Sequence, residues 1–176
     1  MIISGGQSGV DRAALDAALE GGLRCSGWCP KGRRAEDGAI AARYPLRETP
    51  LTNYVQRTEW NVRDAQGTLI LTRGHPSGGT AQTIRFAAQR NQPCLIVDLA
   101  TRRTTPSLVC GWLRWHRISV LNVAGPRESK APGIYRAAKL FLHKVLAGAD
   151  GVVSPKKNAY DNSPRSASRS RQTRSP

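Results

Sequence analysis

A three-layer α/β fold is predicted, a mostly parallel sheet of about five strands with helices on both faces, and three observations predict it. Short apolar runs alternate with helical stretches along residues 1–150. Two of the runs, GTLILT at 67–72 and CLIVDL at 94–99, are nearly continuous in apolar character, as strands are when both faces are covered. The helical stretches carry one apolar stripe each, so each has a face to lay on a sheet. Strand and helix in alternation give parallel strands joined by crossovers.

The elements follow in order. Met1–Ser4 is a short first strand. Val10–Glu20 is a helix with Ala14, Leu15, Ala18 and Leu19 on one stripe, stopped by Gly21 and Gly22. Leu23–Trp28 is a second strand. Cys29–Pro50 is polar and without a sustained period, a length unusual in a compact domain unless the loop has a function. Asn53–Asp64 is a helix, Gly67–Thr72 a buried strand, and Arg73–Gly79 a turn. Thr80–Asn91 is helical, with Thr80, Ile84, Ala87 and Ala88 along one face. Pro93–Leu99 is another strand, Ser107–Arg117 a Trp-rich helix and Ile118–Val123 a fifth strand. Ala124–Lys130 is a loop, and Pro132–Leu146 a helix in which Ile134, Ala138, Phe141, Leu142 and Val145 recur with period 3.6. Residues 1–150 are expected to form one ligand-binding domain. Residues 151–176, rich in Ser, Arg and Pro, are expected to be a disordered basic tail, because they hold too little apolar surface to offset ordering.

Charge narrows the partners. Lys and Arg number 27 against 12 Asp and Glu, a formal +15, which attracts nucleotides, nucleic acid and other anions. Residues 151–176 hold six Lys or Arg and one Asp, so most of the excess belongs to the folded part. No apolar run approaches the ~18 residues of a membrane span, and no export signal is visible. A cytoplasmic protein with four reduced cysteines is expected. Cys25 and Cys29 on one strand would stand ~13 Å apart, too far to share an ion, so no metal site is expected.

Parallel α/β sheets bind ligands at the carboxyl ends of their strands, and four loops should meet there. The first is Ser4-Gly5-Gly6-Gln7-Ser8-Gly9, running into the helix at Val10. Its glycines let backbone N–H groups approach a ligand, and the helix N-terminus favours an anion. Asp11 suits that terminus, whereas Arg12 opposes the dipole and so points to an anion or carboxylate. The second loop places Lys31, Arg33 and Arg34 within four residues, a phosphate contact or a solvated surface. The third, Arg73 to Thr80, repeats the pattern with Gly78, Gly79 and Thr80 at a helix start and His75 before it. The fourth carries Arg127 and Glu128. On the helix at 53–64, Arg57, Asn61 and Asp64 share a face, and Trp60 with Arg57 could sandwich a planar ring.

Taken together, SGGQSGVDRAALDAAL, GWCPKGRRAEDG, YPLRETP, QRTEWNVRDA, GTLILTRG, SGGTAQT, PCLIVDL and LNVAGPRES, in this order over about residues 2–146, resemble the bacterial family of putative molybdenum carriers. The resemblance implies a Rossmann-like superfamily shared with LONELY GUY-type phosphoribohydrolases, often labelled lysine decarboxylase-like, and with DprA. It implies a nucleotide- or phosphate-bearing ligand on the first and third Gly loops. As a carrier, the protein would hold molybdopterin or the molybdenum cofactor as cargo, molybdoenzymes would receive it, and the chain would form a homo-oligomer. The phosphoribohydrolases carry Pro-Gly-Gly-x-Gly-Thr-x-x-Glu at the third loop. Here Pro76-Ser77-Gly78-Gly79-Thr80-Ala81-Gln82-Thr83 keeps Gly-Gly-Thr but has no carboxylate at the end.

Three readings follow: binding of a phosphorylated heterocycle without turnover; N-glycosidic hydrolysis of a nucleotide, with Glu59 or Glu128 (or Glu36) supplying the missing carboxylate; and nucleic-acid binding through the basic tail, with steep salt dependence. The first is favoured, so the chain is expected to bind rather than catalyse.

Overall fold

The computed structural model describes residues 1–101 and 103–148; the expected basic tail at 151–176 lies outside them. The main sheet has five strands: β1 (Ile2–Ile3), β2 (Cys25–Ser26), β7 (Gly67–Thr72), β8 (Cys94–Asp98) and β9 (Leu121–Ala124). Their order is β2-β1-β9-β7-β8 and every pairing is parallel. Register sets Ile2 beside Cys25 and Leu121, and Thr68 beside Asn122 and Cys94.

Among the described residues five helices cover the sheet: α1 (Val10–Glu20), α2 (Tyr54–Arg63), α3 (Gly78–Gln89), α4 (Pro106–Trp115) and α5 (Ile134–Gly148). The alternating side chains of β7 explain the layers. Leu69 and Leu71 point into one apolar core with Val10, Ala14 and Ala18 of α1, Val109 and Leu113 of α4, and Ala138 and Leu142 of α5. The opposite face carries Thr68, Ile70 and Thr72, all buried, beneath α2 and α3, which pack on each other. The expected three-layer α/β, Rossmann-like arrangement is the one observed. No helix among the described residues is long and apolar enough to cross a membrane.

The segment from 23 to 50 departs from expectation. Leu23–Trp28 is not one strand. It breaks at Gly27, whose φ is 152° and whose Cα lies so close to the Ser4 carbonyl that no Cβ would fit. Beyond the break, β3 (Trp28–Cys29) leaves the main sheet and pairs in parallel with β6 (Arg47–Glu48). Between them β4 (Arg34–Ala35) and β5 (Gly38–Ala39) form a small antiparallel hairpin. Arg33 holds this segment in place by donating to four carbonyls, those of Ile40, Ala41, Tyr44 and Leu46. Leu15, Cys29, Ile40, Tyr44 and Leu46 form a second, smaller core beneath it. The polar stretch read as an irregular loop therefore folds by long-range contacts that leave no period in the sequence.

Candidate functional site

Numbered by appearance in the chain, the main-sheet strands run 2-1-5-3-4. Moving the last strand and its helix, β9 and α5, to the front renumbers them 3-2-1-4-5. That is the order of the doubly wound dinucleotide folds, in which ligands sit outside the strand ends where the order reverses. Here the reversal lies between β9 and β7. A cleft of about 290 Å3 opens at that point. It is lined by residues following β1, β7 and β9 and by the starts of α1, α2 and α3.

The cleft is positive and rich in donors. Arg57, Arg73, Arg127 and Lys130 line it, with Asp11 as its one carboxylate among the described residues. At one end stands the N-terminus of α3. The Ser77 side chain makes no capping bond there. Thr80 and Ala81 donate to the Ser77 carbonyl, and the Gly78 and Gly79 N–H groups have no acceptor among the described residues. An open helix N-terminus of this kind favours an anion. Asp98 fixes the preceding turn by accepting from Gly74 N (3.2 Å) and Ala100 N (2.9 Å). Arg73 Nη1 donates to the Pro132 carbonyl (2.9 Å), which ties that cation to the segment before α5.

On the wall, Tyr54 presents its ring, with the Arg127 guanidinium 4.9 Å and that of Arg57 5.9 Å from its centroid. On the floor, Arg57 Nη1 pairs with Asp11 Oδ2 at 2.9 Å, and the two side chains are only 14% and 4% exposed. Arg57 reaches that depth because Gly5 has no side chain; a Cβ at Gly5 would overlap Nη1. Burial pushes the Asp11 carboxyl above its ordinary value, and the charge and hydrogen bond of Arg57 offset this only in part. Gln7 also lines the floor, and its Oε1 accepts from Ser8 N (3.0 Å) and Glu36 N (2.8 Å).

The start of α1 is already occupied by the protein's own carbonyls, with Val10 N donating to Pro126 O, Arg12 N to Gln7 O and Ala13 N to Gly9 O, and two carboxylates brace the residues around it. Glu36, on the β4–β5 hairpin, accepts from the Ser8 hydroxyl and from the backbone and hydroxyl of Ser129. Burial works against its charge, but the Ser129 and Ser8 hydrogen bonds and the nearby Arg127 outweigh this and hold it below the ordinary glutamate value. Asp37 pairs with Arg12 through both guanidinium nitrogens, at 2.7 and 3.1 Å. These residues border a second, more open hollow of about 860 Å3 that also holds Gly9.

The residues singled out by sequence thus divide. Gln7, Arg57, Arg73, Gly78, Gly79, Thr80 and Arg127 line the cleft. Ser8, Gly9, Arg12 and Glu128 border the second hollow. Ser4, Gly5 and Gly6 are buried, and the Ser4 hydroxyl donates to the Val123 carbonyl at 2.7 Å. Lys31, Arg33, Arg34, Trp60 and Asn61 line neither. Arg33 is the carbonyl staple described above. Trp60 packs edge-on against Trp28 with centroids 4.7 Å apart. Asn61 bonds both backbone groups of Trp28, N–H at 2.7 Å and C=O at 2.9 Å, and so anchors β3 to α2. Of the carboxylates considered for catalysis, Glu59 pairs with Arg90 at 3.0 Å outside the cleft. Glu128 accepts from Gly133 N and Tyr135 N, capping the approach to α5. Tyr54 and Lys130 were not foreseen. The aromatic at the first turn of a polar helix was the available signal for Tyr54, and a cation six residues beyond the end of β9 gave none for Lys130.

The comparisons with known proteins agree with the topology. Residues 2–146 match the model of the circularly permutated YpsA SLOG family. The 1.45 Å crystal structure of a "putative molybdenum carrier protein" from Syntrophus aciditrophicus SB is similar at 46% sequence identity with a TM-score of 0.77, covering 82% of this chain and 92% of that one. No curated protein matches the chain.

Proposed function

The chain belongs to the circularly permutated YpsA SLOG family, and from that premise we propose that it binds a phosphorylated heterocyclic small molecule, a nucleotide or a molybdopterin-type cofactor, in the cleft between β9 and β7, and carries it intact. One observation carries the reading: the open N-terminus of α3, four cations and the Tyr54 ring converge at the switch point of a parallel sheet. Phosphate oxygens would take the Gly78 and Gly79 amides with Arg73 and Lys130 nearby, and the ring would lie against Tyr54 and Arg127. The relative described as a "putative molybdenum carrier protein" supports a molybdenum-bearing cargo, of which a molybdopterin-type cofactor is the phosphorylated heterocyclic form. Turnover is less well served. Glu59 and Glu128 are engaged elsewhere, and Asp11 is bound to Arg57.

The test is calorimetric titration and thermal shift with nucleoside monophosphates, ribose 5-phosphate and molybdate, with mass spectrometry of any small molecule that co-purifies. A phosphorylated heterocycle should raise the melting temperature by mass action and be recovered unchanged. Failure of every phosphorylated probe to bind at millimolar concentration would overturn the proposal, and release of free base would convert it to hydrolysis.

A further inference from the structure

We propose that the floor of this cleft selects rings bearing an oxo group over rings bearing an amino group at the inserted edge, and that Gln7 is the residue that reads it. The inference rests on the proposed function, which places a phosphorylated heterocycle in the cleft but leaves open which edge of the ring goes inward.

Two buried donors on the floor have no acceptor among the described residues: Gln7 Nε2 and Arg57 Nε. Gln7 is 4% exposed. Its carboxamide cannot simply be turned over, because Oε1 already accepts two N–H groups, from Ser8 and Glu36. A flip would set Nε2 against both donors. The nitrogen is therefore held as a donor with nothing to donate to, an arrangement that is costly unless something supplies an acceptor. Arg57 is held as firmly, with Nη1 on Asp11 at 2.9 Å and its guanidinium against Gly5.

Acceptors on the floor are by contrast engaged. Asp11 takes the Arg57 bond and a backbone bond from Gln7. A ring carbonyl, as in 6-oxopurines and in the 4-oxo ring of pterins, would satisfy the stranded donors. An exocyclic amine in the same place would bring N–H groups against N–H groups. Sites that meet a polar ligand atom with fixed, buried partners reject the mismatched analogue strongly.

The experiment is calorimetric titration of IMP, AMP and ribose 5-phosphate into the full chain and into Gln7→Glu. The substitution keeps an oxygen for Ser8 N and Glu36 N and replaces the stranded donor with an acceptor. Wild type should bind IMP at least about tenfold more tightly than AMP. Gln7→Glu adds a negative charge that weakens all three ligands, so the ratio is read: IMP should lose about tenfold more than ribose 5-phosphate, and AMP no more than ribose 5-phosphate. IMP and AMP binding within twofold of each other on the wild-type chain would overturn the inference while leaving the proposed function standing, and that comparison needs no variant. Equal loss of all three ligands in a Gln7→Glu protein that melts like wild type would assign Gln7 a structural part and also overturn it. Binding of none of the three to the wild type would remove the proposed function, and this inference with it.

Discussion

Gly5 and Arg57 illustrate what single residues contribute. The glycine could be read as a loop residue that lets amides reach a phosphate; in the folded chain it makes room for a guanidinium instead. Gly5→Ala should push Arg57 off Asp11 and leave a buried carboxylate unpaired, at a cost of ~3 kcal/mol or more. A chemical denaturation midpoint would show this, and ribose 5-phosphate affinity should fall with it. Arg127→Ala should behave differently, since its guanidinium lies on the Tyr54 ring, hydrogen-bonds to no acid among the described residues, and acts on Asp11 and Glu36 only through its charge. Ligand affinity should drop about tenfold, the scale of a cation–π and charge contact, with the melting temperature nearly unchanged. Arg33 marks the limit of residue-level reading. Three cations in four residues suggested phosphate, and nothing local announces that one of them turns back onto four carbonyls.

At the scale of elements, the β4–β5 hairpin is the informative piece. Its ladder among the described residues is internal, and Glu36 and Asp37 fasten it to the start of α1. Glu36 is held below its ordinary value, so its contribution to stability is present above the ordinary glutamate range and is lost as pH falls through the depressed value. Gln at 36 has no such proton to gain. The melting temperature of Glu36→Gln should therefore fall less than that of wild type between neutral and strongly acidic pH. The difference should be small, because the carboxylate is largely open to solvent; thermal unfolding at several pH values checks it. Elsewhere, α1 and β7 are found at the bounds expected, Val10–Glu20 and Gly67–Thr72. Both have a strong pattern and clear stops. Leu23–Trp28 reads as one strand because alternation cannot reveal that Gly27 meets Ser4 and turns the chain out of the sheet.

The whole molecule is organised by the permuted strand order. If β9 and α5 are the displaced first unit of a 3-2-1-4-5 sheet, then α5 should lead naturally into β1. A chain that begins at Ile118, continues to Gly148 and joins Met1 through a short Gly-Ser linker should fold to the same far-UV circular dichroism and keep its affinity for ribose 5-phosphate. Loss of either would show that the native connection between α4 and β9 is needed to assemble the cleft. The net charge of +15 acts at this scale too, attracting anions to the chain as a whole, an effect that weakens with salt.

The amino-acid sequence by itself determined the layers, the parallel sheet and the sheet edge at which the Gly-rich turns gather. These depend on local periodicity and on Gly-rich turns between strand and helix, and such signals lie within a few residues of one another. Tertiary structure alone decided which cations line the cleft, that the first amides of α1 meet the chain's own carbonyls while those of α3 stay open, and that the aromatic ring lining the cleft is Tyr54 and not Trp60. Those outcomes turn on side chains 20 to 120 residues apart competing for the same donors and the same space, and no local pattern records which of them wins.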